Sequence, residues 1–277
     1  MESSLPNKFN TCIVIVTYNP DSSFVNNVVR HLEIVDKVSI VDNNSVVDIK
    51  SLLPNKYLNK IDVIFSEKNK GIAWALNKGI SEAIKLSYEW VITFDQDSLP
   101  DIKLLDYYSE VLKKEKNIGL LGTKFSDKTE NIDKITWKNS LTLITSGTLH
   151  PIKIFDFIGF YNEKLFIDSV DFDFALRVKI AGYNVVRIEA PLLSHKLGTP
   201  VKKYGLESSN HNLIRRYYYS RNHFFLTKTY FKKFPVWILK KNFFFIKSIL
   251  LLIIVEDNVS AKLKNIVKGI NDGYKGF

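Results

Sequence analysis

Trp90-Val91-Ile92-Thr93-Phe94-Asp95-Gln96-Asp97 is the stretch on which the reading of this chain turns: an unbroken apolar run that ends in two carboxylates one residue apart. A run of that kind suits a strand covered on both faces, as in a parallel sheet. Open α/β sheets bind their ligands outside the carboxyl ends of the strands, so Asp95 and Asp97 fall on the ligand edge. Oxygen-only donors fit a hard divalent cation, Mg²⁺ or Mn²⁺, which commonly shares its shell with substrate phosphates. Alone, Asp-x-Asp is a short motif that a solvated loop would also explain.

Outward from this stretch, apolar runs alternate with amphipathic segments. Cys12 to Val16 reads as a first strand and Val38 to Val41 as a second, with Val63 to Phe65 a short third. Between them Phe24, Val25, Val28, Val29 and Leu32 recur at helical spacing, and Gly71 opens a helix with Ile72, Ala75, Leu76, Ile80, Ala83 and Ile84 on one face. Ile118 to Leu121 reads as a further strand, Asp171 to Ala181 as a helix and Tyr183 to Ile188 as a strand; Pro191 breaks the chain before Leu193-Ser194-His195. From His211 onward the pattern is helical and basic. The fold class is therefore α/β: right-handed βαβ units building an open, mostly parallel, Rossmann-like sheet, followed by a helical C-terminal extension.

Four polar clusters fall at successive strand ends: Thr17-Tyr18-Asn19, Asp42-Asn43-Asn44-Ser45, Asn69-Lys70-Gly71 and Asp95-Gln96-Asp97. Each alone could be a turn. Together they suit a nucleoside diphosphate, short amides and carboxylates reading base and ribose while the Asp pair and a cation hold the pyrophosphate.

The composition sets the bounds. With 277 residues, 45% of them hydrophobic and 25% charged, the chain can bury a large core. Its single cysteine, Cys12, sits in an apolar run, reads as a small core residue and leaves no internal disulfide to form. The N-terminus lacks the basic start and apolar stretch of a signal peptide, which makes the cytoplasm the expected compartment. The net charge of +10 favours polyanionic partners, among them nucleotide substrates, anionic lipid and nucleic acid.

In order and spacing these motifs resemble the inverting GT-A glycosyltransferases of family 2: Thr-Tyr-Asn, Asp-Asn-Asn-Ser, then Asn69, Gly71, Ala75, Asn77 and Gly79, then Asp-x-Asp. Downstream, Thr145-Ser146-Gly147, Gly159 to Glu163, Phe166 to Asp173, Leu193 to Gly198, and Arg216-Tyr217-Tyr218 with Arg221-Asn222 resemble the bacterial rhamnosyltransferase branch. The resemblance spans about residues 11–225. It implies a catalytic domain over 1–210, with a nucleotide-sugar half at about 11–122 and an acceptor half at about 123–210, and an extension over 211–277.

Position by position, the resemblance implies that Thr17, Tyr18, Asn19, Asp42 and Asn44 hold the base and ribose and that Asn69 and Gly71 lie against the nucleotide. Asp97 would ligate the cation, with Asp95 nearer the ribose and metal shell. His195 would be a third metal ligand or a phosphate contact; a packed histidine after a strand is its plain alternative. Asp171 would be the general base that takes the acceptor's proton in a single displacement. The family commonly has Glu-Asp here and this chain has Val170-Asp171, which keeps Asp168 and Asp173 as competitors. Asp173 lies four residues before Arg177, the spacing of a helical ion pair. Trp74 and Trp137 read as core or pocket wall.

Trp237 to Val255 is the most apolar stretch, but Lys240, Lys241 and Lys247 interrupt it. A spanning helix needs about 20 predominantly apolar residues. An amphipathic helix lying on an anionic membrane surface fits, as does a helix buried in the core or between two copies of the chain in a homo-oligomer. The expected activity is metal-dependent inverting transfer of a sugar from a nucleotide-diphosphate donor, L-rhamnose from dTDP-rhamnose being implied by the resemblance. The expected acceptor is a lipid-linked glycan of O-antigen or capsule assembly, at the inner face of a bacterial membrane. UDP-activated glucose, galactose or N-acetylglucosamine are alternative donors. A nucleic-acid-binding protein would explain the Arg- and Tyr-rich segment at 215–225, but no nucleic-acid module is present and the strand-end clusters would be left without a role. A nucleotidyltransferase would need a glycine- and lysine-rich triphosphate loop near the first strand, which the sequence lacks.

Overall fold

The structure is a computed structural model that describes residues 4–126, 132, 134–195 and 200–276, His195 by its backbone alone. The chain forms two compact units, Met1–Glu163 with Asp171–Lys196, and Lys164–Val170 with Leu197–Phe277.

The first unit is α/β. Its elements are β1 (Thr11–Thr17), α1 (Phe24–Ile34), β2 (Lys37–Asp42), α2 (Ile49–Leu52), β3 (Ile61–Phe65), α3 (Ile72–Lys85), β4 (Trp90–Asp95), β5 (Ser98–Pro100), α4 (Leu104–Lys114), β6 (Ile118–Ser126), β7 (Trp137–Asn139), β8 (Thr148–Pro151), α5 (Ile154–Ile158), α6 (Val170–Ile180) and β9 (Asn184–His195). The sheet order among the described residues is β3-β2-β1-β4-β8-β6-β9-β5, with β7 beside β9. The first four strands of that order are parallel. β8 then enters antiparallel to both β4 and β6, and β6 runs parallel to β9. All seven residues of β1 are buried, so no polar face interrupts its apolar run. Ile13, Ile15, Ile40, Ile92 and Phe94 join Phe24 and Val28 of α1 in the core.

Gly79 of the Asn-x-Gly-rich motif has a packing role. A Cβ there would sit 2.3 Å from Val14 Cγ1 and 3.2 Å from Val41 Cγ2, so a side chain would force α3 off β1 and β2.

β9 departs from the expected break at Pro191. The strand continues through it to His195, and its pairing with β6 shifts register around Lys124 opposite Pro191. A bulge is one of the few places where a strand accommodates a residue without an N–H.

Two histidines are sealed in this unit. His31 lies edge-on to Phe94 at 4.4 Å between ring centroids, and its Nδ1 meets the Asn27 carbonyl. His150 Nε2 meets the Tyr161 hydroxyl at 2.8 Å. Burial lowers both pKa values to about 4. The unfolded chain takes up these protons near pH 6.5 and the folded one only near 4, so stability is full above 6.5 and falls as the pH drops towards 4. At pH 5 each histidine should remove about 2 kcal/mol relative to pH 7. Urea unfolding at the two pH values checks this, and His31→Gln should shrink the difference.

The second unit holds the hairpin β10 (Val201–Lys203) and β11 (Leu206–Ser208) and three helices, α7 (Leu213–Tyr230), α8 (Pro235–Val255) and α9 (Val259–Lys275). α9 packs closely on α7: a Cβ at Gly269 would meet the Tyr217 carbonyl at 2.4 Å, and one at Gly273 the Arg221 carbonyl at 2.2 Å. At the heart of this unit the Glu256 side chain is 0% exposed and that of Arg216 1%. Glu256 Oε1 accepts from Arg216, from the Ser208 hydroxyl and, at 3.1 Å, from the Asn210 amide. Its Oε2 accepts from Lys262 Nζ at 2.8 Å. Burial raises the pKa of this carboxyl, but Lys262, Ser208 and Arg216 outweigh it and hold it below the usual carboxylate range.

Candidate active site

Parallel register brings the polar clusters to one sheet edge: Thr17 pairs with Asp42, Val16 with Asp95 and Asp42 with Phe65. At that edge the side chains are stitched together. Gln96 Oε1 accepts from the Thr17 hydroxyl at 2.9 Å and the Tyr18 amide at 2.8 Å, while the Asn27 amide donates to the Gln96 carbonyl at 3.0 Å. The residue between the two aspartates therefore anchors the first cluster to the fourth.

Asn19 and Asn44 both adopt left-handed backbone, with φ of 47° and 74°. The Asn19 amide donates to Ser45 Oγ at 2.7 Å, Asn19 Oδ1 accepts from the Val46 amide at 2.9 Å, and the Ser45 hydroxyl donates to Asp42 Oδ1 at 2.6 Å. Asn43 ties in the third cluster: it donates to Asn69 Oδ1 at 3.0 Å and accepts from the Lys70 amide at 2.9 Å. Asn69 Oδ1 also accepts from the Gly71 amide at 3.0 Å, where Gly71, at φ 88°, caps α3. Thr17, Asp42, Asn43 and Gly71 form a buried floor, and Tyr18, Asn19, Asn44 and Asn69 stand exposed above it. Trp74 is half-buried, with Lys70 Nζ 4.4 Å and Lys78 Nζ 5.7 Å from its ring centroid. Trp137 donates its indole N–H to Glu115 at 3.0 Å.

Asp95 is oriented by Ser146, whose hydroxyl donates to Asp95 Oδ2 at 2.7 Å and accepts from the Asp95 amide at 2.9 Å. Ser98 donates to the same Ser146 oxygen at 2.9 Å. Asp95 is half-buried and Asp97 exposed, an oxygen-only pair at a strand end. Among the described residues no group of three His, Cys, Asp or Glu side chains converges to hold an ion. The two carboxylates are oxygen donors of the kind a hard cation takes. His195 pairs through its backbone with Ser98, next in the chain to Asp97; its side chain, and Lys196 to Gly198 beyond it, lie outside the described residues.

Asp171 occupies the first turn of α6, where its Oδ1 accepts from the Phe172 amide at 2.8 Å. A carboxylate there faces the positive end of the helix dipole. Near it is Tyr161, fully buried, whose phenol is pushed far above its ordinary value by burial and then by the negative charge of Asp171, with Asp95 adding to it. The same phenol thus feels the carboxylate at the end of β4 and the one at the start of α6. Tyr161 is fixed by Asn77 of the Asn-x-Gly motif, which donates to the Tyr161 carbonyl at 3.0 Å and to Glu163 at 2.9 Å, and accepts from the Tyr161 amide at 2.9 Å. Asn77→Ala would leave the buried amide and carbonyl of Tyr161 unpaired, and should cost about 1–3 kcal/mol in urea unfolding.

The competing aspartates have other partners. Asp173 is buried and pairs with Arg177 Nε at 3.0 Å, the helical ion pair its spacing predicts. Arg177 also donates to the carbonyls of Ile158 and Phe160 at 2.8 and 2.9 Å. Asp168, in the second unit, pairs with Arg215 at 3.0 Å. It belongs to a loop in which Phe166, Asp168 and Ser169 all have positive φ, between 62° and 66°. Each such non-glycine residue is sterically disfavoured. Asn222, fully buried in α7, donates to the carbonyls of Leu165, Ile167 and Asp168 at 2.7, 2.7 and 2.9 Å, and Phe166 stacks on Tyr218 at 4.6 Å. The chain runs from this loop directly into α6 and Asp171.

Gln96 and Ser146 lay inside motifs quoted from the sequence, yet their partners lie 79 and 51 residues away. Tyr161 and Asn222 likewise carried no local signal of their role.

Solved structures share the GT-A fold of this chain. A mannosyltransferase of Pyrobaculum calidifontis, solved with GDP-Man and Mn²⁺, superposes with a TM-score of 0.60 at 12% identity, covering 97% of this chain and 88% of its own. The S. aureus protein TarS, residues 1–349, gives 0.55 at 12% identity over 96% and 72%. The profile described as Glycosyl transferase family 2 matches residues 12–169, and the chain belongs to that family. It is an inverting glycosyltransferase. It is also 30% identical, over 97% of its length and 96% of the other's, to the dTDP-rhamnosyl transferase RfbF of Shigella flexneri.

Proposed function

We propose that the protein transfers L-rhamnose from dTDP-rhamnose, with inversion, to a lipid-linked glycan in O-antigen or capsule assembly at the inner face of a bacterial membrane. The observation that carries the chemistry is that β4 ends in Asp95, oriented by the Ser146 hydroxyl, while α6 opens with Asp171 in its first turn. Those two carboxylates belong to opposite ends of one displacement, the leaving diphosphate and the attacking hydroxyl. The choice of sugar is supported by the 30% identity to a dTDP-rhamnosyl transferase.

In this reading Tyr18, Asn19, Asn44 and Asn69, above the floor formed by Thr17, Asp42 and Gly71, receive base and ribose. Asp95, held by Ser146, and Asp97 hold a divalent cation, to which His195 is a proposed third ligand. When bound, that cation neutralises charge developing on the departing nucleoside diphosphate. Asp171 accepts the acceptor's hydroxyl proton as the oxygen attacks the anomeric carbon from the face opposite the diphosphate.

Calorimetric titration of dTDP-rhamnose, UDP-glucose, UDP-galactose and UDP-N-acetylglucosamine, each with and without Mn²⁺, tests the donor. Metal-dependent binding of dTDP-rhamnose alone is expected, with Asp97→Asn abolishing the metal dependence. Preference for a UDP-sugar would replace rhamnose while keeping the chemistry. No binding of any donor by folded protein would sink the assignment.

A further inference from the structure

The charge of this chain is segregated. The 67 residues from His211 carry 13 Lys and Arg against three Asp and Glu, so the whole net charge of +10 resides there and residues 1–210 are neutral. Within this stretch α8 has two apolar faces. Ile238, Phe245, Leu252 and Val255 are buried against the protein. Val236, Leu239, Phe243, Ile246, Leu250 and Ile253 recur at steps of three and four and form a second stripe, each between 49% and 80% exposed. Lys240 and Lys247 are exposed along one border of that stripe, and no acidic residue occurs between Pro235 and Val255. A continuous apolar stripe of this size on a soluble surface marks an interaction site.

We infer that the outer face of α8 is a docking surface for an anionic lipid bilayer, on which the helix lies flat with its apolar stripe in the acyl boundary and Lys240 and Lys247 at the headgroups. No helix among the described residues is long and apolar enough to cross a membrane, so α8 lies on the bilayer. Interfacial helices combine such a stripe with flanking lysines, and anionic headgroups supply the counter-charge. A second copy would also accept the stripe, whose spacing matches a coiled-coil seam. Charge decides against it: two such segments would each bring +10, and α8 offers no carboxylate to pair with Lys240 or Lys247 across a seam. The inference extends the proposed function to the surface where the enzyme works, but its observations concern α8 alone, so it can fail while that function stands.

The test is co-sedimentation of the full chain with phosphatidylglycerol–phosphatidylcholine vesicles and with phosphatidylcholine alone. Binding to the anionic vesicles, weakened by salt and absent from the neutral ones, is expected. The double variant Lys240→Glu/Lys247→Glu should lower partitioning at least about tenfold, and Phe243→Ser/Ile246→Ser should abolish it. Circular dichroism and donor titration should match the parent for both. Absence of vesicle binding, or binding indifferent to both double variants, would overturn the inference. So would a lipid-free dimer that Phe243→Ser/Ile246→Ser dissociates, or retention of oligonucleotides in place of vesicles.

Discussion

Asp171→Asn is expected to lower the turnover of sugar transfer by about 10²–10⁴-fold, the usual contribution of a positioned general base, while donor affinity is unchanged. Asparagine keeps the shape of the side chain and its oxygen can still accept from the Phe172 amide, but it cannot take up a proton. Turnover retained in full would move the base to another residue, and Asp168, already paired with Arg215, would be examined next. Loss of donor affinity together with turnover would place Asp171 on the donor side of the reaction.

Glu256→Gln should be the most destabilising single exchange in the helical unit, by about 3–5 kcal/mol, because it leaves two buried cations without their counter-charge. Arg216 and Lys262 converge on this one carboxylate from α7 and α9, and Ser208 and Asn210 complete its shell. Urea unfolding followed by the helical signal measures the loss. In Glu256→Met/Arg216→Met the charge left behind falls to Lys262 alone, so the double variant should cost less than the sum of its parts. Purely additive losses would mean that the cluster is hydrated and the pair energetically idle.

Much of this molecule was legible in its sequence because burial on both faces leaves a strong local mark. Cys12 to Val16 and Trp90 to Phe94 became β1 and β4 with a residue added at one or both ends. The helices from Phe24 and from Ile72 followed their apolar spacing. The three- and four-residue strands β5, β7 and β8 had no such mark, since at that length pairing is decided by partners distant in sequence. Pro191 misled for a related reason: its local rule holds, and the register shift beside β6 absorbs it. At the site, the clusters named the edge but not the division of labour within it. Asp42 and Asn43 look interchangeable with Asn44 in sequence, yet the first two build the floor and only Asn44 stands exposed. Asn77 and Gly79, which the sequence offered as part of the motif that carries the family resemblance, serve packing and the placement of Tyr161.

The left-handed loop over Phe166, Asp168 and Ser169 has a consequence for the birth of the enzyme on the ribosome. Its shape depends on Asn222, 54 to 57 residues further along the chain. A nascent chain that has emerged only as far as α6 carries Asp95, Asp97 and Asp171, yet the peptide leading into Asp171 lacks the Asn222 amide that holds it in its disfavoured conformation. Contacts of such separation close late, after the intervening chain has been ordered. The loop is therefore fixed once α7 has been made, and a chain truncated before α7 would lack the Asn222 amide that holds the carbonyls of Leu165, Ile167 and Asp168.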